Sequence, residues 1–367
     1  MMTDELIEEF ITFSNQNLCN RHDANFPKVS IFWLNYNSIS FKHIVLCSLE
    51  NICKLDYPNF ELIVIDNNST DGSYETVKDF LKNINIKVKL IRLKKNVGFT
   101  GGNNVAYKMM DPDTKYFVLL NNDAIPYPDS LSKLVKVMEE DNDLAATQGI
   151  IISYRNGLVD TAGGFVDIML RAYMAYNGLS PKLLDKSITI SYADGAYSIY
   201  RVSAVKKALG YNDKIFDRLT FMYYDDTILG LKLWNKGYRI KSFPFITARH
   251  FRGSVPIFSR KTRPIYIYLG SRNWIASALS STTRFKFLII FLVLKSLFIR
   301  SIKYFRQPEF IVAYIKAIED GVKIGKHKHL RKEGIDIYRT KTLYLSPKNL
   351  ILGIISRRIL LKKVKVN

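Results

Sequence analysis

The sequence predicts an α/β fold: a mostly parallel, doubly wound sheet flanked by helices, with a basic helical extension behind it. Three observations carry that expectation. Short β-branched and aromatic runs alternate with helix-period segments from residue 29 to residue 121, the pattern of successive βαβ units. Most of these runs end on Asn or Asp, so one edge of the sheet gathers polar groups. The last quarter of the chain concentrates positive charge among Ile, Leu and Phe.

Taken in order, residues 1–28 read as an amphipathic leader, with Leu6, Ile7, Phe10 and Ile11 at helical spacing and a polar linker closed by Pro27. VSIFWLNYN (29–37) is a first strand ending in polar residues, 40–53 a helix, and FELIVID (60–66) a second strand ending on Asp66. NNSTDGS then turns the chain and caps a helix from Tyr74 to Leu81. VKLIRL (88–93) is a third strand, a glycine pair precedes a helix from Asn103 to Met110, and Phe117–Leu120 is a fourth strand, apolar throughout as a buried parallel strand should be. The region 145–255 is less regular: a Gly-rich piece at Thr161–Gly164, then DGAYSIYRVSAV, then FMYYDDTILGLKLWNKGYRI, where Ile228, Leu229, Leu231 and Leu233 follow helical spacing up to Gly237.

Two places suit chemistry. The Phe117 strand runs into Asn121-Asn122-Asp123 before Pro126 and Pro128. Ligands of open α/β sheets bind beyond the carboxyl ends of strands, and a carboxylate there can hold a divalent cation against a diphosphate. The same residues also suit an ordinary strand-ending turn. Asp225-Asp226 stands at a helix start, where the dipole favours negative charge, so the pair reads either as a cap or as a catalytic base.

Composition bounds the rest. The 367 residues, 47% hydrophobic and 13% aromatic, suffice for one large or two smaller folded domains. Cys19, Cys47 and Cys53 form no CxxC pair, which points to a reducing compartment without disulfides or thiolate zinc. The acidic N-terminus carries no pattern of a secretory signal, so the expected location is cytoplasmic. Of a net charge of +21, residues 276–367 hold +15, from 20 Lys and Arg against 5 Asp and Glu. In FKFLIIFLVLKSLFIRSIKYFR (285–306) the uninterrupted apolar core, Phe287–Leu294, is far short of the ~20 residues of a bilayer span. It fits a helix lying in an anionic membrane interface, on the inner face of the membrane, or alternatively one packed on the main domain.

The ordered set VSIFWLNYN, VIDNNSTDGS, KNVGFTGGNN, LLNNDAIPYPDSL, YYDDTILGLKLWNKGY, RHFRGS and SRNW resembles family 2 of the inverting glycosyltransferases, in the branch of rhamnosyl- and galactofuranosyl-transferases. The resemblance covers about 29–275 and implies a GT-A nucleotide-sugar-binding fold, divided into a nucleotide-binding half (29–125) and an acceptor half (126–275), with 276–367 as the basic tail. It implies that Asn35, Tyr36, Asp66 and Asn67 line the base and ribose of a UDP- or dTDP-linked donor. Asn67 stands where many relatives have a second acid. Gly101, Gly102, Asn103 and Asn104 belong to a Gly98–Asn104 loop approached by the donor, and Asn121-Asn122-Asp123 replaces Asp-x-Asp, leaving one acid, with Asn121 and Asn122 at the nucleotide sugar. Asp123 and His250 would hold Mg²⁺ or Mn²⁺, and Asp226 would be the general base, with Asp225 as its fallback. The Asp194–Arg201 segment resembles an acceptor-side element that puts Arg201 near phosphate or a buried acid. Arg272-Asn273 matches an RN element of underived role. The QxxRW signature of processive synthases is absent, so transfer of one sugar to a glycan or lipid-linked acceptor is the expected reaction. The alternatives are a sugar nucleotidyltransferase, which wants a Gly- and Lys-rich phosphate loop that NYNSIS is not, or an inactive binding protein of the same fold. A nucleic-acid partner is not expected, because no recognition module accompanies the charge.

Overall fold

A computed structural model describes residues 5–13, 25–210, 213–217, 220–252, 263–326 and 334–343; the polar linker at 14–24 and the tail at 344–367 lie outside these. The expected leader helix is a strand, β1 (Ile7–Phe13). Its alternate residues Ile7, Ile11 and Phe13 pack on the core, while Phe10, which the helical spacing had counted inward, faces out. A period of two beats the helical one here because the segment is β-branched, aromatic and next to an open sheet edge. Glu9, on the inward side, meets Lys78 at 2.6 Å.

The next units follow the expected order: β2 (Val29–Asn35), α1 (Lys42–Cys53), β3 (Phe60–Asp66), α2 (Ser73–Leu81), β4 (Val88–Leu93), α3 (Gly98–Met109), β5 (Tyr116–Asn121). β4, β3, β2 and β5 lie side by side and parallel, in register so that Asn35 faces Asp66 and Leu34 faces Asn121. β1 closes the β4 edge antiparallel. Because β2 has β3 on one side and β5 on the other, chain direction across the sheet reverses at β2, and the strand ends there open into a crevice.

The remaining elements are β6 (Ala124–Pro126), α4 (Ser130–Glu139), β7 (Leu144–Ser153), β8 (Val159–Thr161), β9 (Gly164–Val166), β10 (Ala172–Met174), β11 (Ile188–Thr189), β12 (Tyr197–Arg201), α5 (Val202–Leu209), α6 (Asp225–Asn235) and β13 (Arg239–His250). The full order is β1-β4-β3-β2-β5-β12-β7-β13-β11, with β12 antiparallel to β5 and β7, and β13 parallel to β7. Helices cover both faces. α1, α2 and α4 pack with Ile31, Trp33 and Val64 on one side. α3, α5 and α6 pack with Phe32, Ile63 and Phe117 on the other.

Among the described residues three α-helices follow: α7 (Arg263–Ser280), α8 (Lys286–Lys303) and α9 (Pro308–Gly325). The boundary expected at residue 276 falls inside α7, and α9 lies against that helix so closely that a Cβ on Gly321 would stand 2.8 Å from the Arg272 carbonyl. Residues 335–343 return to the main body, where Ile335 and Ile337 are buried with Val166, Tyr192 and Leu231. The first part of the basic region is therefore built into the molecule. α8 differs: Ile289 and Val293 are covered, but Phe287 (66%), Phe298 (67%) and, just beyond the helix, Phe305 (82%) are exposed. Among the described residues no helix is long and apolar enough to cross a membrane.

Candidate active site

The in-register ends of β2, β3 and β5 set the rim. Asn35 is enclosed and donates from Nδ2 to Asp66 Oδ1 (2.9 Å), Ser69 Oγ and Ser73 Oγ (3.2 Å each), while Ser38 donates to its Oδ1. Asp66 also accepts from the Ser69 amide (2.9 Å). Burial pushes its carboxyl above the ordinary value against the pull of those bonds. Both side chains are buried, whereas Tyr36, the residue after Asn35, is 45% exposed. Asn67 reaches across to the Gly98 carbonyl (3.1 Å).

The expected Gly98–Asn104 loop is the first turns of α3, a correction with a packing reason. A Cβ on Gly101 would meet the side chain of Val97, which caps the same helix, at 2.6 Å, and one on Gly102 would meet Leu34 of β2 at 2.7 Å, so Gly102 serves close helix–strand approach and Gly101 makes room for the cap residue. Asn103 donates to the Phe99 carbonyl (2.9 Å), and Asn104 grips the 215–216 backbone with three bonds, accepting from both amides and donating to the Phe216 carbonyl (2.9 Å each). Arg201 is also corrected. It stands at the Tyr116 end of β5, opposite the rim, donating to Tyr116 Oη (2.9 Å) and to the carbonyls of Leu144 and Asp141 (3.2 and 3.1 Å).

Past Asn121 and the buried Asn122, Asp123 is fully buried beside His250 from the end of β13. His250 Nε2 lies 3.1 Å from Asp123 Oδ1 and Nδ1 lies 2.8 Å from Asp160 Oδ2, while Arg252 donates to Asp160 Oδ1 (2.5 Å). Burial would lower the imidazole pKa, but the two carboxylates lift it to about 9. His250 and Arg252 in turn hold the Asp160 carboxyl below its usual range, although burial pushes it upward. Asp160 went unread in the sequence; its signal is an acid inside the wholly buried strand VDT. No group of three or more His, Cys, Asp or Glu among the described residues is arranged to hold a metal. The donor set nevertheless suits a cation with two protein ligands: Asp123 oxygen and His250 Nε2 are adjacent, and Asp160 fixes the ring through its other nitrogen, the usual support of a metal-binding histidine.

Asp225 and Asp226 open α6 as expected. Asp225 is 5% exposed and lines a small cavity with Ile215, Phe216 and Lys232. Asp226 is half-buried; its Oδ1 accepts from the Thr227 amide (2.6 Å) and its Oδ2 from the Gly195 amide (3.3 Å). Burial, then the charge of Asp194, pushes Asp225 up to about 7; burial, then Asp225 and Asp194, pushes Asp226 well above its ordinary range. One chain of contacts joins the two acidic clusters. Asp226 binds Gly195, and the carbonyl of the next residue, Ala196, accepts from the Asn121 amide (3.0 Å), two residues before Asp123. β5 pairing with β12 thus brings both clusters to the same rim.

Residues 30–209 match the model of Glycosyl transferase family 2. An uncharacterized glycosyltransferase of Haemophilus influenzae is 29% identical over 122 residues, 33% of this chain and 36% of that protein. Another, of Rickettsia felis, is 33% identical over 123 residues, 33% of this chain and 18% of that protein. The matched segment thus spans little more than a third of the length of these relatives, or less. The solved structure of GalNAc-T7 with UDP, GalNAc and Mn²⁺ has a TM-score of 0.51 at 17% identity, covering 80% of this chain and 59% of that one, a likeness of fold. Family match and fold together support a GT-A glycosyltransferase domain.

Proposed function

We propose, on the premise that residues 30–209 carry a family 2 glycosyltransferase domain, that the protein moves one sugar with inversion from a UDP- or dTDP-linked donor to a hydroxyl of a glycan or lipid-linked acceptor. The observation that carries this reading is the hydrogen-bonded route from Asp226 through Gly195 and Ala196 to Asn121, which sets a carboxylate pair and the Asp123–His250 pair on one rim. Inversion needs a single displacement. The acceptor oxygen attacks the anomeric carbon, the bond to the diphosphate breaks, and a carboxylate takes the acceptor proton, a contribution of ~10²–10⁴-fold. Asp226 suits that role better than Asp225 because it is the less buried of the two and bonds the Asp194–Gly195 turn, whereas Asp225 lines the cavity beside α6. Tyr36 offers an exposed ring to the nucleobase. Asp123 and His250 would hold Mg²⁺ or Mn²⁺, which when bound neutralises charge on the leaving nucleoside diphosphate. The rhamnosyl or galactofuranosyl character of the donor rests on motif resemblance.

The same reading places the protein peripherally on an anionic membrane, at its cytoplasmic face. The exposed apolar side of α8 with Lys286 and Lys303 exposed at its ends is the supporting feature, since hydrocarbon beside cations complements an anionic lipid surface. Incubating the full chain with a panel of UDP-, dTDP- and GDP-sugars and Mn²⁺ tests the reaction. Nucleoside diphosphate release from a UDP- or dTDP-sugar is expected; release from none of the panel, with or without glycan and lipid-phosphate acceptors, sinks the reading.

A further inference from the structure

We propose that Asn273, oriented by Arg272, is a positioning residue for Asp226: α7 holds the 220–224 loop in the backbone shape that delivers the acid pair to the rim. Phe221, Tyr223 and Tyr224 have φ of 60°, 70° and 70°, a left-handed run in bulky side chains directly ahead of Asp225. Such residues leave that region unless their surroundings hold them there. The surroundings here are specific. Asn273, 3% exposed, donates from Nδ2 to the carbonyls of Thr220 (2.9 Å), Met222 (3.0 Å) and Tyr223 (2.8 Å). Its Oδ1 accepts from Arg272 Nε (2.9 Å), which fixes the amide with its donors toward the loop. Arg272 Nη2 donates to Thr220 as well (2.8 Å).

From the opposite side, the Thr100 amide and hydroxyl donate to the Phe221 carbonyl (3.1 and 3.3 Å). Gly98 leaves the room for it: a Cβ there would lie 2.3 Å from that oxygen. The Tyr224 carbonyl accepts the Ile228 amide (3.0 Å). Every carbonyl from 220 to 224 is therefore tied, and three of the five converge on one amide group. A helix cap cannot explain this arrangement, because α6 has no side-chain cap and starts from a left-handed Tyr224. The loop is a small clamp between α3 and α7, and the first residues it releases into helix are Asp225 and Asp226.

The catalytic half of this inference rests on the proposed glycosyl transfer; the clamp itself does not. Full-length Asn273→Ala and the milder Asn273→Ser are compared with wild type by amide hydrogen exchange and by turnover of whichever nucleotide sugar the panel finds. Exchange across 220–227 should rise roughly tenfold or more in Asn273→Ala, and less in Asn273→Ser, with β2–β5 unchanged. Turnover should fall by about tenfold or more, while the Kd for UDP or dTDP with Mn²⁺, measured calorimetrically, moves less than about twofold. Wild-type exchange at 220–227 in both variants overturns the clamp. Faster exchange with unchanged turnover overturns the positioning role and leaves a packing residue. If the wild type turns over no donor, the transfer reading and this catalytic role fall together, while exchange still decides the clamp. If Asn273→Ala does not accumulate folded, Asn273→Ser decides by the same readings.

Discussion

Asp226 is pushed well above the ordinary carboxylate range by burial, then by the charges of Asp225 and Asp194, so it holds its proton to higher pH than an exposed acid, while a base must be free. Turnover should therefore climb with pH well above the range of an ordinary carboxylate, and Asp225→Asn, by removing one of those charges, should move the climb to lower pH. Asp226→Asn should abolish transfer with nucleotide affinity kept; a mutant retaining more than about a tenth of wild-type turnover removes it from the base role. The same substitution should raise the thermal midpoint at pH 8 and leave it nearly unchanged at pH 4. The sign follows from linkage: the folded Asp226 carboxyl, its pKa raised, keeps a proton that the unfolded chain releases near 3.8, so stability falls as pH rises from there, and the neutral amide escapes that loss. Asp123→Ala should weaken UDP or dTDP binding in the presence of Mn²⁺, and His250→Ala should do so more mildly; calorimetry with and without EDTA reads both. Affinity indifferent to both substitutions and to EDTA would mean that basic side chains, not a cation, meet the diphosphate.

Elements decide where these side chains can act. β5, β12 and α6 bring the acids together, and α7 adds the Arg272–Asn273 contact that sequence left without a role. α9 is pressed on α7 at Gly321, where a Cβ would also meet Ile275 at 2.9 Å. Gly321→Leu should cost about 1–3 kcal/mol, read by chemical denaturation, because the Arg272 carbonyl on the other helix cannot give way as a flexible side chain could. α8 makes the opposite prediction. Phe291 and Phe298 are half-exposed or more, so Phe291→Glu and Phe298→Glu should leave the thermal midpoint within a degree or two yet abolish flotation with anionic liposomes. A large drop in midpoint would instead make α8 a packed helix.

For the molecule as a whole, the charge and the apolar face lie in the same last quarter of the chain. Attraction to an anionic leaflet is worth about 1 kcal/mol per basic residue near the surface and is screened within a Debye length of roughly 8 Å at physiological salt. Raised salt should therefore loosen liposome binding in part, leaving a salt-resistant remainder from α8. Full-length protein that ignores anionic liposomes even at low salt rules the membrane out. Cutting the chain after Ser280 is a poor substitute for that experiment. It would strip α9 from α7 and take Ile335 and Ile337 out of a buried cluster, so it should destabilise the body as well as remove the basic face.

The sequence by itself determined the βαβ order from Val29 to Asn121, the polar strand ends, the acids that open α6 and the basic, apolar character of α8. These depend on period, on local turn chemistry and on composition, which are properties of neighbouring residues. Only the tertiary structure decided the rest. Leu6 to Ile11 looked helical until an open edge at β4 offered backbone partners, and the glycines read as a loop lie in the first turns of α3, with Val97 and Leu34 close against them. Asp160 on His250, and Asn273 on the 220–224 loop, join residues 90 and about 50 positions apart. Long-range contacts of single polar side chains leave no period in a sequence, because their partners are chosen by how sheets and helices stack and not by what stands beside them in the chain.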